Sequence, residues 1–192
     1  MENGKAAKIY VDPSDWKGVI RAAKDLGDDI KKVTTVSASV VEESNFNPKS
    51  ILIGTIGKSA IIDKLIAEKK IDVSPILNKW ESFIIQTVED NLVIVGSDKR
   101  ATIFGIYDIS EKIGVSPWYW WADVPVKTSK ELFVKNGTYL QESPKVKYRG
   151  IFINDEWPSF GDWTHRKFGG FNSKMYTHMF ELLLLSLIHI SE

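Results

Sequence analysis

Apolar and polar positions along this chain alternate between two periods. Residues 8–11 form a short apolar run, read as a strand. Asp12-Pro13-Ser14-Asp15 follows, offering several capping groups for a helix start. Trp16, Val19, Ile20, Ala23, Ile30 and Val33 then recur at helical spacing and mark a buried face. Residues 35–41 and 50–53 read as strands on either side of an Asn45-Phe46-Asn47-Pro48 turn. A second helix carries Ile61, Ile62, Leu65 and Ile66. Residues 81–88 and 92–95 predict a hairpin around Asp90-Asn91. Gly96-Ser97-Asp98 leads into a helix whose Ile103, Ile106, Tyr107 and Ile113 share a face, and Gly114 ends it. Strands alternating with helices over residues 8–114 predict a compact α/β layer domain.

The remainder is less regular. Residues 118–126 form an aromatic loop, and a last strand of this part is expected near 132–134. Ser143-Pro144 is a break. Residues 146–153 are rich in β-branched and aromatic side chains and read as a buried strand. Asn154, Asp155 and Glu156 stand at its carboxyl end, and Trp157-Pro158 stops it. In α/β folds that end of a strand is where ligands bind, although a strand end that simply meets water gives the same pattern. A glycine-containing loop follows Trp163. Asn172 or Ser173 then caps a helix over 174–185, with Met175, Met179, Leu182 and Leu183 on its buried face.

The 192 residues fit one domain, or one domain plus a piece, and 43% hydrophobic content supports a core. The charge balance, 25 basic against 25 acidic, gives no electrostatic footprint for nucleic acid or an anionic membrane. Cysteine is absent, which removes disulfides and thiolate chemistry. Residues 1–9 lack the apolar core of a signal peptide, and no apolar stretch approaches the roughly 20 residues of a membrane helix. Gly54-Thr-Ile-Gly57-Lys58-Ser59 imitates a phosphate-binding loop but is two residues short of it, so a tight strand-to-helix turn capped by Ser59 is expected. His178 and Glu181 do not form the His-Glu-x-x-His signature, and neither a metal nor a cofactor is expected. Five of the seven tryptophans, Trp118, Trp120, Trp121, Trp157 and Trp163, crowd one quarter of the chain; flat rings of this kind stack on sugars or fill cores.

Several stretches together resemble the N-terminal part of glycoside hydrolase family 115, the xylan α-1,2-glucuronidases. They are Ile53-Gly-Thr-Ile-Gly-Lys-Ser59, Lys79-Trp-Glu-Ser-Phe83, Gly96-Ser-Asp-Lys-Arg100, Gly105-Ile-Tyr-Asp-Ile-Ser110, Gly114-Val-Ser-Pro-Trp-Tyr-Trp-Trp-Ala-Asp-Val-Pro125 and Tyr148-Arg-Gly-Ile-Phe-Ile-Asn-Asp-Glu-Trp157. The resemblance implies an N-terminal α/β domain over residues 1–143, then the first strand (146–153) and first helix (174–185) of a truncated (β/α)8 barrel over residues 144–192. It implies an inverting hydrolase that removes α-1,2-linked glucuronic acid, or its 4-O-methyl form, from xylan or glucuronoxylan. It also implies a secreted or periplasmic location and, for the full-length enzyme, a homodimer. The chain is then an inactive fragment. Residues 185–192 depart from the family pattern and read as translated adapter sequence or as a genuine apolar helix end.

Inverting glycosidases hold an acid and a base roughly 6.5–9.5 Å apart with water between them. Asp155 and Glu156 are neighbours, and adjacent strand side chains face opposite ways, so at most one of them faces the sugar. The second carboxylate is expected from later barrel strands. Asn154, Arg149 and Trp157 are the substrate-binding candidates. Arg149 is either a fork for the glucuronate carboxylate or half of a structural ion pair. Trp157 either stacks on sugar or packs beneath its loop. Asp123 is expected to accept a hydrogen bond between the two domains. Two other functions remain open, a carbohydrate-binding module using the tryptophan cluster and a plain α/β interaction domain.

Overall fold

The computed structural model describes residues 4–186. Eleven elements follow one another: β1 (Ile9–Val11), α1 (Lys17–Thr34), β2 (Val40–Glu42), β3 (Ile51–Thr55), α2 (Ala60–Ala67), β4 (Phe83–Val88), β5 (Asn91–Gly96), α3 (Lys99–Lys112), β6 (Thr138–Gln141), α4 (Phe160–Phe168) and α5 (Ser173–Ser186). The strands build one six-stranded sheet in the order β2-β1-β3-β5-β4-β6. β2, β1, β3 and β5 are mutually parallel, whereas β4 runs antiparallel to both β5 and β6.

Period-two alternation explains why the sheet is covered on both faces. Ile9, Val11, Ile51, Ile53 and Ile94 point to one side and meet Val19, Ala23 and Leu26 of α1 and Ile103, Phe104 and Ile106 of α3. Tyr10, Leu52, Val93 and Val95 point to the other side and meet Ile61, Ile62 and Leu65 of α2, with Ile71, Val73 and Ile76 beyond it. β3 and β5 are buried along their whole length, which is why they read as uninterrupted apolar runs. The hairpin expected around Asp90-Asn91 is the β4–β5 pair, closed where Val88 faces Asn91.

Four expectations are corrected. The strand over 35–41 shrinks to β2, because only Val40–Glu42 lie beside β1. The strand near 132–134 does not form. Thr138–Gln141 takes the free edge of β4 instead, with Phe83 opposite Gln141, and Phe133 stays 75% exposed. The glycine loop after Trp163 is preceded by a helix, α4, that carries Asp162 in its first turn and His165, Arg166 and Lys167 in its last. Those charges suit the helix dipole, and Gly169 ends the helix at φ 78. Finally, residues 146–153 do not form a strand, and apart from Arg149 they are exposed: Tyr148 is 86% and Phe152 92% exposed. A strand needs a ladder partner, and among the described residues none runs beside this segment.

The C-terminal helix falls where the spacing placed it. Asn172 Oδ1 accepts from the backbone N–H groups of Lys174 (3.1 Å) and Met175 (3.2 Å) and caps it. Met175, Met179, Leu182 and Leu185 form its buried face, with Leu185 rather than Leu183 as the last member. Tyr119 donates to Glu181 Oε1 at 3.0 Å, and Trp121 Nε1 donates to the His178 carbonyl at 3.2 Å, so the aromatic loop after α3 holds α5. Residues 187–192, where most of the expected non-native ending falls, lie outside the described residues.

Two outcomes test this packing. A Cβ at Gly96 would collide with the backbone nitrogen of Thr102, at the N-terminus of α3. Gly96→Ala should therefore lower unfolding free energy by roughly 1–3 kcal/mol or more in urea titration, because backbone atoms cannot move aside as a side chain can. Burial pushes the Glu181 carboxyl above its ordinary value of 4.5, an effect that the Tyr119 hydroxyl and Lys32 only partly offset. A raised carboxyl pKa means that the folded state binds the proton more tightly, so stability falls as pH climbs from about 4.5 through the raised value. Asp15 and Asp25 are raised by burial as well and act in the same direction. Glu181→Gln removes one of these contributions, so its melting temperature should fall less steeply between acid and neutral pH than that of the parent.

Candidate functional site

The carboxyl ends of the parallel strands are the first place to look for a site. β1 leads into α1 on one face and β3 into α2 on the other, so the crevice between β1 and β3 is the topological switch point. The chain itself fills it. Asp12 Oδ2 accepts from the Ala60 N–H (3.0 Å) at the start of α2 and from Ser44 Oγ (2.8 Å), and Asp12 Oδ1 accepts from the Ser14 N–H (2.8 Å). Asp15 Oδ2 accepts from the Thr55 N–H at 2.8 Å, and Asp15 Oδ1 accepts from the Trp16 N–H at 2.7 Å. These two buried carboxylates take the donors that an anion would need. They do not cap α1 as its own side-chain caps, because α1 begins only at Lys17. Nor does Ser59 cap α2: its hydroxyl is buried with no hydrogen-bond partner among the described residues, and Asp12 does that work from another loop.

A cluster of rings joins the loop after α3 to α4 and α5. Trp120 stacks on His178 (4.0 Å between centroids, 9° between planes), Trp121 on Trp163 (5.5 Å) and Phe160 on Trp163 (5.6 Å). Lys167 lies over Trp120 and Trp163, at 4.5 and 5.5 Å. Burial, with Lys167 second, holds the His178 imidazole below its ordinary pKa. The faces that a sugar would use are spent on one another, so this cluster cements the helices. Asp123, in the same loop, is exposed at φ 52, and no partner for it exists among the described residues, contrary to its expected bridging role.

The polar triplet lies elsewhere. Asn154, Asp155 and Glu156 are all exposed. Asn154 Oδ1 accepts from the Glu156 N–H at 3.2 Å, turning the chain at that point. Among the described residues, no hydrogen bond or ion pair engages the Asp155 or Glu156 carboxylate. Trp157 is 61% exposed, with its ring 5.2 Å from His165. The Glu156 carbonyl accepts from the Gly161 N–H (3.3 Å) and from Ser159 Oγ (3.3 Å), tying the triplet to the first turn of α4.

Arg149, a few residues upstream, is placed differently from the triplet. Its side chain is 2% exposed and donates from Nη2 to Glu81 Oε2 at 2.7 Å and from Nη1 to the Val146 carbonyl at 2.7 Å. The structure thus brings Asn154, Asp155, Glu156 and Trp157 together at the surface and turns Arg149 inward. Glu81 was not singled out by the sequence reading. Its only signal was membership of the Lys79-Trp-Glu-Ser-Phe83 stretch. Among the described residues, no group of His, Asp and Glu side chains is arranged to hold a metal.

Comparison with known proteins gives these features a family. The model of glycosyl hydrolase family 115 matches residues 141–186, the stretch that holds the triplet, α4 and α5. A solved structure of a family GH115 4-O-methyl-α-glucuronidase, BtGH115A, with specificity for decorated arabinogalactans, is 35% identical to this chain, with a TM-score of 0.83 over 96% of it. The chain spans 24% of the length of that enzyme. A second structure, CpGH84D, aligns with 56% of this chain and 17% of its own at 9% identity and a TM-score of 0.43, and carries no argument. No curated protein sequence matches the chain. The match over residues 141–186 and the likeness over nearly the whole α/β fold agree in what they point to: the chain is similar to the N-terminal part of glycosyl hydrolase family 115.

Proposed function

We propose that this chain is the N-terminal portion of an inverting α-glucuronidase that removes α-1,2-linked glucuronic acid, or its 4-O-methyl form, from xylan. The observation that carries this reading is the exposed apolar run of residues 146–153, ending in an exposed polar triplet. Leaving Tyr148 and Phe152 in water forfeits roughly 1.5–3 kcal/mol for each side chain that could be buried. A run of this kind suits a strand whose neighbours come from later in a longer protein, and the family match covers it. On this reading the break at Ser143-Pro144 separates an α/β domain from the start of a (β/α)8 barrel, and α5 is the first barrel helix. Asn154, Asp155 and Glu156 then stand at the carboxyl end of the first barrel strand, where barrel enzymes build their sites.

The roles follow from chemistry. One of Asp155 and Glu156 faces the sugar as acid, base or charged hydrogen-bond acceptor, and a carboxylate from a later strand completes the pair across the water. Asn154 bonds sugar hydroxyls, and Trp157 offers a ring for an apolar sugar face. Arg149 supports the strand from within. A polymeric substrate places the enzyme outside the cytoplasm. The arabinogalactan specificity of BtGH115A makes a decorated arabinogalactan the second substrate to try, since the glucuronate to be removed has the same chemistry.

The isolated chain should release no glucuronate from glucuronoxylan, because among the described residues no second carboxylate faces Asp155 or Glu156 across a pocket. Turnover that persists through purification and disappears in Asp155→Asn would overturn the fragment reading. In a full-length family enzyme carrying this N-terminal sequence, Asn154→Ala, Asp155→Ala and Glu156→Ala should each fold. At least one should lower kcat/KM by more than about tenfold, equivalent to about 1.4 kcal/mol of transition-state binding. Parallel assays on glucuronoxylan and on glucuronate-bearing arabinogalactan identify the polymer. If all three variants fold and keep full activity, the triplet makes no contact with substrate.

A further inference from the structure

We propose that Glu81, in the turn before β4, is a positioning residue that holds the Asn154–Glu156 triplet in place through Arg149. The inference rests on the reading that this triplet meets substrate. Glu81 is 5% exposed and sits at φ 49. That left-handed conformation suits glycine, so a glutamate held there marks a position fixed by its surroundings. Three bonds fix it. Its backbone N–H donates to Asp98 Oδ2 at 3.0 Å, and Asp98 Oδ1 caps α3 by accepting from the Ala101 N–H at 2.8 Å. Its carboxylate bridges two guanidinium groups, Arg100 Nε to Oε1 at 3.0 Å and Arg149 Nη2 to Oε2 at 2.7 Å.

The two arginines differ in what they restrain. Arg100 belongs to α3, which is already packed, and its side chain is 46% exposed. Arg149 belongs to the irregular segment, and its side chain is 2% exposed. The turn before β4 grips the same segment further upstream: Ser143 Oγ donates to the Trp80 carbonyl at 2.6 Å, and Ser82 Oγ donates to the Gln141 carbonyl at 2.7 Å. Arg149 is the last of these grips before the triplet. Downstream, the Glu156 carbonyl is held by the first turn of α4. The residues between these two anchors include Ile151 and Phe152, both exposed. Asn154 lies five residues after Arg149, a reach of about 17–18 Å at most, so the ion pair limits where Asn154 can lie. An Arg fork against a buried carboxylate gives direction as well as energy.

The test needs no turnover, so its failure is distinguishable from failure of the glucuronidase reading. The chain has no cysteine, so Lys64→Cys on α2 and Phe152→Cys accept two spin labels without interference. Pulsed electron resonance then measures the distance distribution between α2 and the segment. In the parent background the distribution should be narrow. Arg149→Gln and Glu81→Gln should each broaden it about twofold, as for a segment released from one anchor, and Arg149→Lys should restore much of the narrowness. Arg100→Gln should leave it as in the parent, which separates positioning from general destabilisation. If Glu81→Gln does not fold, Arg149→Gln decides alone, since the residues on either side of Arg149 are exposed and lie outside the core. A narrow distribution in Arg149→Gln, or equal broadening in Arg100→Gln, overturns the proposal.

Discussion

Every extended backbone must find hydrogen-bond partners on its edges, and this one constraint sorts the chain into two parts. β1, β3 and β5 have partners on both sides, so their side chains can be buried on both faces and the core closes around them. Residues 146–153 have equally strand-like side chains but, among the described residues, no strand beside them, and they run irregularly with their rings in water. The same composition gives a core strand in one place and an exposed segment in the other. Pairing decides, and pairing is a property of the fold rather than of the local sequence.

A second consequence is how the crevice at the switch point is used. Many α/β sheets bind ligands there. Here Asp12 and Asp15 occupy the N–H donors of α2 and β3. That arrangement leaves the crevice filled by the chain's own carboxylates. The turn before β4 and the aromatic loop after α3 instead reach outward and grip residues 141–149 and α5 respectively.

The elements with strong periods were legible. The helical face from Val19 to Val33, the hairpin closing near Asp90 and the Asn172 cap all lie where spacing and cap chemistry placed them. What the sequence hid depended on distant partners. β6 formed at Thr138 rather than at Leu132 because the free edge of β4 selected it. Asp12 looked like a cap for the next helix and serves α2, nearly fifty residues on, instead. Trp120 and Trp121 looked available for sugar and are stacked on His178 and Trp163. In the candidate site, the triplet's exposure was open to reading from its polarity. Glu81 was not, because neither its left-handed backbone nor its two arginine partners leave a local trace.

The central claim is that residues 146–153 become a strand only when the rest of a barrel surrounds them. Amide hydrogen exchange across these residues, compared between this chain and a full-length family enzyme that carries it, addresses that claim directly. The account predicts fast exchange over residues 150–153 in this chain and protection comparable to β3 in the longer protein. Equally fast exchange in both, with β3 protected throughout, would contradict it.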